Sequence, residues 1–183
     1  MIYRLIMISD EVDGFMREIQ IDADATFFDL HKAILKACDY EDNQMTLFTM
    51  CENGWEMGQQ ITLEVMDTAS DEDCYVMKET RLNEFLEDER QHFLYTFDPL
   101  AERHFFFELS EIITGKHLAA PKVTRKEGNP PTQALDFEEL FARNPIQTES
   151  TLDLDDDGDL YGDGIDDEVD LDGLDISDGN PYE

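Results

Sequence analysis

Positive charge is scarce in this chain. Of 183 residues only 13 are Lys or Arg, against 45 Asp or Glu, which sets the formal net charge at −32. Such a field repels phosphate backbones and anionic lipid surfaces, so direct nucleic-acid or membrane-surface binding is disfavoured; basic proteins and cations are what it attracts. Cysteine is sparse as well. Cys38, Cys51 and Cys74 are odd in number and widely spaced, with no Cys-x-x-Cys pair. That pattern excludes a disulfide framework and reads as reduced thiols in a cytoplasmic protein. Long apolar runs are missing too. The opening MIYRLIMIS is followed at once by Asp10, Glu11 and Asp13, so neither a signal peptide nor a transmembrane span is expected. No repeat of solenoid length recurs along the chain.

What is present organises itself around DATFFDLHKAILKACDYED. Thr26 is a suitable helix N-cap, with Asp29 placed to return a bond to its backbone and to face the positive end of the dipole. Phe27, Leu30, Ile34 and Cys38 then fall on one stripe, widened by Leu35 and Ala37, and no Gly or Pro interrupts. The spacing predicts a helix over 27–38. Before it, alternation predicts strands over 2–9 and 15–21 as a hairpin. After it, strands are expected over 45–52, 55–57 and 61–66, with Asn53-Gly54 as the hairpin turn. A brief strand or loop over 74–77 and a short helix over 81–86 capped by Thr80 come next. The aromatic stretches QHFLYTF (91–97) and HFFFELSEI (104–112) read as adjacent antiparallel strands. Residues 115–131 have irregular composition, and 135–144 read as a short amphipathic helix.

The composition changes at Glu149. Residues 149–183 hold fifteen acidic residues and no basic one, which leaves 30 acidic against 13 basic in 1–148, a net of −17. The expected organisation is an α+β domain over 1–148 and an acidic low-complexity tail over 149–183, disordered when free because charge is dense and apolar mass small. Leu152, Leu154, Leu160, Ile165 and Val169 are scattered among the acids, a mixture that suits docking onto a partner.

Three stretches, taken in order, carry a family resemblance. They are IYRLIMISDEVDGFMREIQIDADATFFDLHKAILKACDYEDNQMTLFTM, then RLNEFLEDERQHFLYTFDPLAERHFFFEL, then PKVTRKEGNPPTQA. Together they resemble the plasmid pRiA4b open-reading-frame-three-like family over about residues 2–143. The resemblance implies an α+β, β-grasp-like fold: a β-hairpin, a central helix and a mixed or antiparallel sheet. It also loosely implies a mobile-element setting. This chain departs from the family pattern after Asp98, where Pro99, Leu100 and Ala101 replace Phe-Gly-Asp, and again at Val123, Thr132 and Gln133.

Candidate chemistry is thin. His92, Asp98 and His104 suit a two-His-one-carboxylate cation site if they converge at the end of the aromatic hairpin; an ordinary strand pair with polar residues outward is the other reading. His31 is either a site member or a packed helix histidine. Cys38, Cys51 and Cys74 match no closed zinc spacing, and buried thiols are the simpler reading. Trp55 is either a surface anchor or a cover for the sheet. In the tail, Asp153, Asp155 and Asp157 stand at positions one, three and five of a calcium loop, with Gly158 at the turn, Asp159 next and Leu160 at the apolar eighth place; the twelfth is Gly164 rather than Glu. That supports weak Ca²⁺ or Mg²⁺ binding and no dedicated cofactor. Two functions are therefore expected. The first is a non-enzymatic interaction module whose acidic surface and tail bind a basic protein. The alternative is a mobile-element-associated enzyme or metal-dependent accessory with its site at His92, Asp98 and His104.

Overall fold

The computed structural model describes residues 1–52, 54–64 and 75–135. All of them belong to the first of two units, Met1–Ile146. Cys74, the helix expected beyond Leu135 and the tail with Asp153, Asp155, Asp157 and Asp159 lie outside the described residues.

The element order is β1 (Ile2–Ile8), β2 (Met16–Asp22), α1 (Phe27–Cys38), β3 (Leu47–Glu52), β4 (Glu56–Thr62), β5 (Tyr75–Val76), a 3₁₀ turn (Leu82–Glu84), β6 (His92–Asp98), β7 (Arg103–Ile113) and β8 (Lys122–Glu127). The strands form one sheet in the order β5-β4-β3-β6-β7-β1-β2-β8. Every neighbouring pair is antiparallel except β4 and β5, so the sheet is mixed and the fold α+β. The β1–β2 hairpin pairs Ile2 with Asp22 and Ile8 with Met16. Alternation then sends Tyr3, Leu5 and Met7 of β1, and Arg17, Ile19 and Ile21 of β2, to the buried face.

α1 forms where its sequence pattern places it. The Thr26 hydroxyl accepts from the Asp29 N–H at 3.2 Å, and the Asp29 carboxylate accepts from the Thr26 N–H at 3.1 Å. This reciprocal box satisfies two N–H groups that the first turn would otherwise leave without partners. At the other end Asp39 turns left-handed and its N–H bonds to the Leu35 carbonyl. The buried stripe packs into the aromatic strands: Phe27 meets Phe48 at 5.2 Å between ring centroids, and His31 meets Tyr95 at 5.9 Å. Phe93, Tyr95, Phe105 and Phe107 have no exposed surface and complete the core beneath it.

Four expectations need correction. Residues 122–127, placed in an irregular stretch, form β8 against β2. Among its residues only Val123 packs against the core, so the strand has no alternation to read. β4 is one strand rather than two pieces; its polar middle, Gly58-Gln59-Gln60, stays in the sheet, with a bulge opposite Thr49 and Cys51. The short helix at 81–86 is a single 3₁₀ turn, and its leading N–H is held by Glu84 accepting from Arg81 rather than by Thr80, whose carbonyl instead accepts from Phe27. β7 begins at Arg103, one residue before the strand expected over 104–112.

The capping box generates a test. Thr26→Ala and Asp29→Ala should each lower stability by about 1 kcal/mol. The double variant should lose clearly less than the sum, because either change breaks the same reciprocal pair. Urea denaturation of the four proteins measures this, and full additivity would contradict it.

Candidate functional site

Four segments meet at one end of the sheet: the β1–β2 loop, the residues after α1, the β6–β7 turn and the run 128–135. Arg103 ties them together. Only 2% of it is exposed. Its Nε and Nη2 donate to the two Glu11 carboxylate oxygens at 2.7 and 2.8 Å. Nη2 also donates to the Thr132 carbonyl at 2.7 Å and Nη1 to the Gln133 carbonyl at 3.3 Å. The guanidinium lies 4.7 Å over the Phe97 ring. Burial works to lower the Arg103 pKa, but the bonds and charge of Glu11, joined by Asp98, outweigh it and raise the value. Beside it the Tyr40 hydroxyl donates to the Pro131 carbonyl at 2.5 Å, and burial pushes that phenol upward. Gln133 closes the seam. Its side-chain oxygen accepts from the Glu41 N–H at 2.8 Å, and its amide donates to the Glu41 carbonyl at 2.6 Å.

Next to this network lies an open cleft of about 470 Å³ lined by Gln44, Met45, Asp98, Pro99, Leu100, Ala134 and Leu135. Met45 and Leu100 are 49% and 84% exposed. Asp98 accepts from the Ala101 N–H at 3.3 Å, and its other oxygen stands 3.6 Å from Arg103 Nη1, beyond hydrogen-bond distance. Two carboxylates, Glu11 and Asp98, therefore share one guanidinium.

The three residues expected to converge do not. His92 and Asp98 are the first and last residues of β6, about 20 Å apart along a strand rising about 3.3 Å per residue. His92 stacks on Trp55 at 4.5 Å and faces Glu108 at 3.3 Å. His104 bonds Thr96 at 2.9 Å, and burial lowers its pKa. The β6–β7 hairpin is as read, but antiparallel register pairs Thr96 with His104 and Asp98 with Arg103, which leaves His92 at the far end. His31 is a packed helix histidine: its Nδ1 is 2.8 Å from the Tyr95 hydroxyl and its Nε2 3.3 Å from Asp42. Trp55 edges onto Phe106 at 5.0 Å and covers this face of the sheet, although 44% of it is exposed.

Neither of the two described thiols, Cys38 and Cys51, is placed as a nucleophile. Burial pushes Cys38 up to about 12 and raises Cys51 as well. Cys38 sits in the core cluster under α1, whereas Cys51 follows Met50 in β3 and points to the opposite face. Among the described residues one group has metal-ligand spacing, Asp22, Asp24 and His117, with donor atoms within 4.8 Å of one another. Both Asp22 oxygens and Oδ1 of Asp24 already take part in hydrogen bonds. Asp22 accepts from the N–H groups of Asp24 and Leu118 and bonds His117, and Asp24 accepts from Asn83. These bonds lower the Asp22 pKa despite its partial burial and account for the cluster as a clasp on the turn before α1.

Sequence reasoning missed Arg103, Glu11, Tyr40 and Gln133. No local pattern joins them, because the bonds of the network link residues up to 92 positions apart. The one available signal was an Arg leading directly into the apolar run HFFF.

A family model described as Plasmid pRiA4b ORF-3-like protein matches residues 2–141. No curated protein matches the chain. Among solved structures, a protein of unknown function from Methanosarcina mazei Go1 is similar at a TM-score of 0.52 and 23% identity, over 68% of each chain. That likeness supports the fold.

Two outcomes follow from this geometry. Arg103→Ala strands Glu11 and Asp98 and should destabilise by about 3–5 kcal/mol. Adding Glu11→Gln should recover part of the loss; a urea midpoint unchanged in the single variant would contradict the role given to Arg103. Second, burial holds His31 below the usual histidine value, against the pull of Asp42. The unfolded chain, with His near about 6.5, then binds more protons below that pH. Stability contributed by neutral His31 is present above about 6.5 and is lost as pH falls. His31→Gln should flatten the drop in urea midpoint between pH 7.5 and 5.5, and an equal drop in both proteins would contradict it.

Proposed function

This chain belongs to the plasmid pRiA4b ORF-3-like family, and we propose that it acts as a non-enzymatic interaction module of the cytoplasm that binds a basic protein through its acidic surface and tail. The observation that carries this reading is the acidic excess of the chain, with part of its few positive charges spent inside the fold. The span 1–148 already has 30 acidic against 13 basic residues. Two of those cations, Arg17 and Arg103, are buried at 4% and 2% exposure and spend their donors inside the fold. Arg17 bonds the carbonyls of Ala37, Met16, Glu127 and Gly128. Arg103 is matched by Glu11 and Asp98, which are themselves mostly covered, so the acidic surplus of the span is left on the solvent-facing surface. Such a surface favours fast, salt-sensitive capture of basic partners over binding of phosphate backbones. Residues 149–183 add fifteen carboxylates and scattered aliphatic residues to the same preference. No helix among the described residues is long and apolar enough to cross a membrane.

The reading is tested with the full chain immobilised against proteins of its native cell. Captured partners should be basic, and their retention should fall at least tenfold between about 50 mM and 500 mM salt as screening shortens. Deleting residues 149–183 should weaken capture. Retention indifferent to both salt and the deletion would overturn the proposal.

A further inference from the structure

The cleft at the sheet end deepens this reading and rests on it. We infer that it seats one aliphatic side chain of a basic partner segment, with a neighbouring Lys or Arg of that segment closing on Asp98. Its walls suit the first half of that description. Met45 and Leu100, two of the large apolar side chains left exposed, flank an opening of about 470 Å³, with Pro99, Ala134 and Leu135 completing the apolar lining. Pro99 fixes its own backbone torsion in the turn that carries Leu100, which limits the ordering that binding would require of the backbone there.

The charge of the cleft suits the second half. Arg103 gives its bonds to Glu11, Thr132 and Gln133. Asp98, 3.6 Å away, receives attraction but no hydrogen bond from it. The cluster of Glu11, Asp98 and Arg103 carries a surplus negative charge, and of the three residues Asp98 is the one that lines the cleft, which it reaches with the 8% of its surface left exposed. A partner ammonium or guanidinium offsets that charge, whereas an acidic segment meets repulsion from Asp98 and from Glu41 and Asp42 in the adjoining loop. Aliphatic contact alone does not select a basic neighbour, and charge alone does not select an aliphatic residue. The site reads both together.

Three fluorescent heptapeptides test this by anisotropy against the full chain at about 50 mM salt: a Leu flanked on each side by Lys-Arg, the same peptide with Ser replacing Leu, and the Leu flanked by Glu-Asp. The basic Leu peptide should bind about tenfold tighter than its Ser counterpart, the worth of burying one aliphatic side chain. The double variant Met45→Gln/Leu100→Asn changes two exposed positions, so the fold should stand, as its urea midpoint will show. It should erase the Leu preference and leave the charge preference intact. Equal binding of the Leu and Ser peptides, or a Leu preference that survives the double variant, overturns the cleft assignment and leaves the module reading in place. If neither basic peptide binds better than the acidic one, the module reading falls and the cleft assignment with it.

Discussion

One helix has to cover one face of a wide sheet, and most of the described structure follows from that mismatch. α1 has 12 residues and is about 18 Å long. Eight strands span about 34 Å across at about 4.8 Å per step. The helix meets β3 and β6 near its start and β2 and β8 near its end, so it crosses the sheet and leaves part of the face to other chain. The outer parts of the core are closed by irregular chain: Met77, Leu82 and Leu86 on one side, and Phe15 and Tyr40 on the other, all packed against the same cluster. The clustering of Phe and Tyr under the helix fits the same need, because each large ring fills volume that a second helix would otherwise supply.

Irregular chain laid over a core brings buried carbonyls with it, and these need donors. The two buried arginines answer that need at neighbouring places. Arg17 bonds the end of α1 through Ala37 and the end of β8 through Glu127 and Gly128. Gly128 is confined by the same crossing, since a Cβ there would stand 2.7 Å from the Gly14 carbonyl oxygen and its φ is +63°. Arg103 performs the corresponding task for Thr132 and Gln133. An arginine with five donors in a fixed fork suits this work, because it can bridge a carboxylate and two carbonyls at once. In an acidic chain the consequence reaches beyond stability. Two cations are withdrawn from the surface together with most of Asp98, which shares a guanidinium that is already committed.

The polar groups that first suggest catalysis take structural roles in the same economy of partners. His31 joins α1 to β6 through Tyr95. His92 and Trp55 stack on the other side of the sheet from the helix. Asp22 and His117 fasten the β7–β8 connection to the end of β2. The exposed surface that these contacts leave over, at Met45 and Leu100, sits beside the β6–β7 turn.

The sequence by itself determined the helix and the central strands. The Thr26–Asp29 box, the 3.6-residue stripe of α1 and the alternation in β1, β2, β6 and β7 are local patterns, set by neighbours a few residues apart. It also determined the charge balance and the family, since order along the chain is enough for both. Only the tertiary structure decided the rest. β8 and the middle of β4 are exposed edge-side strands whose pairing comes from a partner strand rather than from their own composition. The spread of His92, Asp98 and His104 was decided by register. The bonding of Arg103 to Glu11, Thr132 and Gln133 was decided by which loops close the core. Short-range patterns record what a residue's neighbours require, whereas a site built from four distant segments exists only after the sheet has brought them to one end.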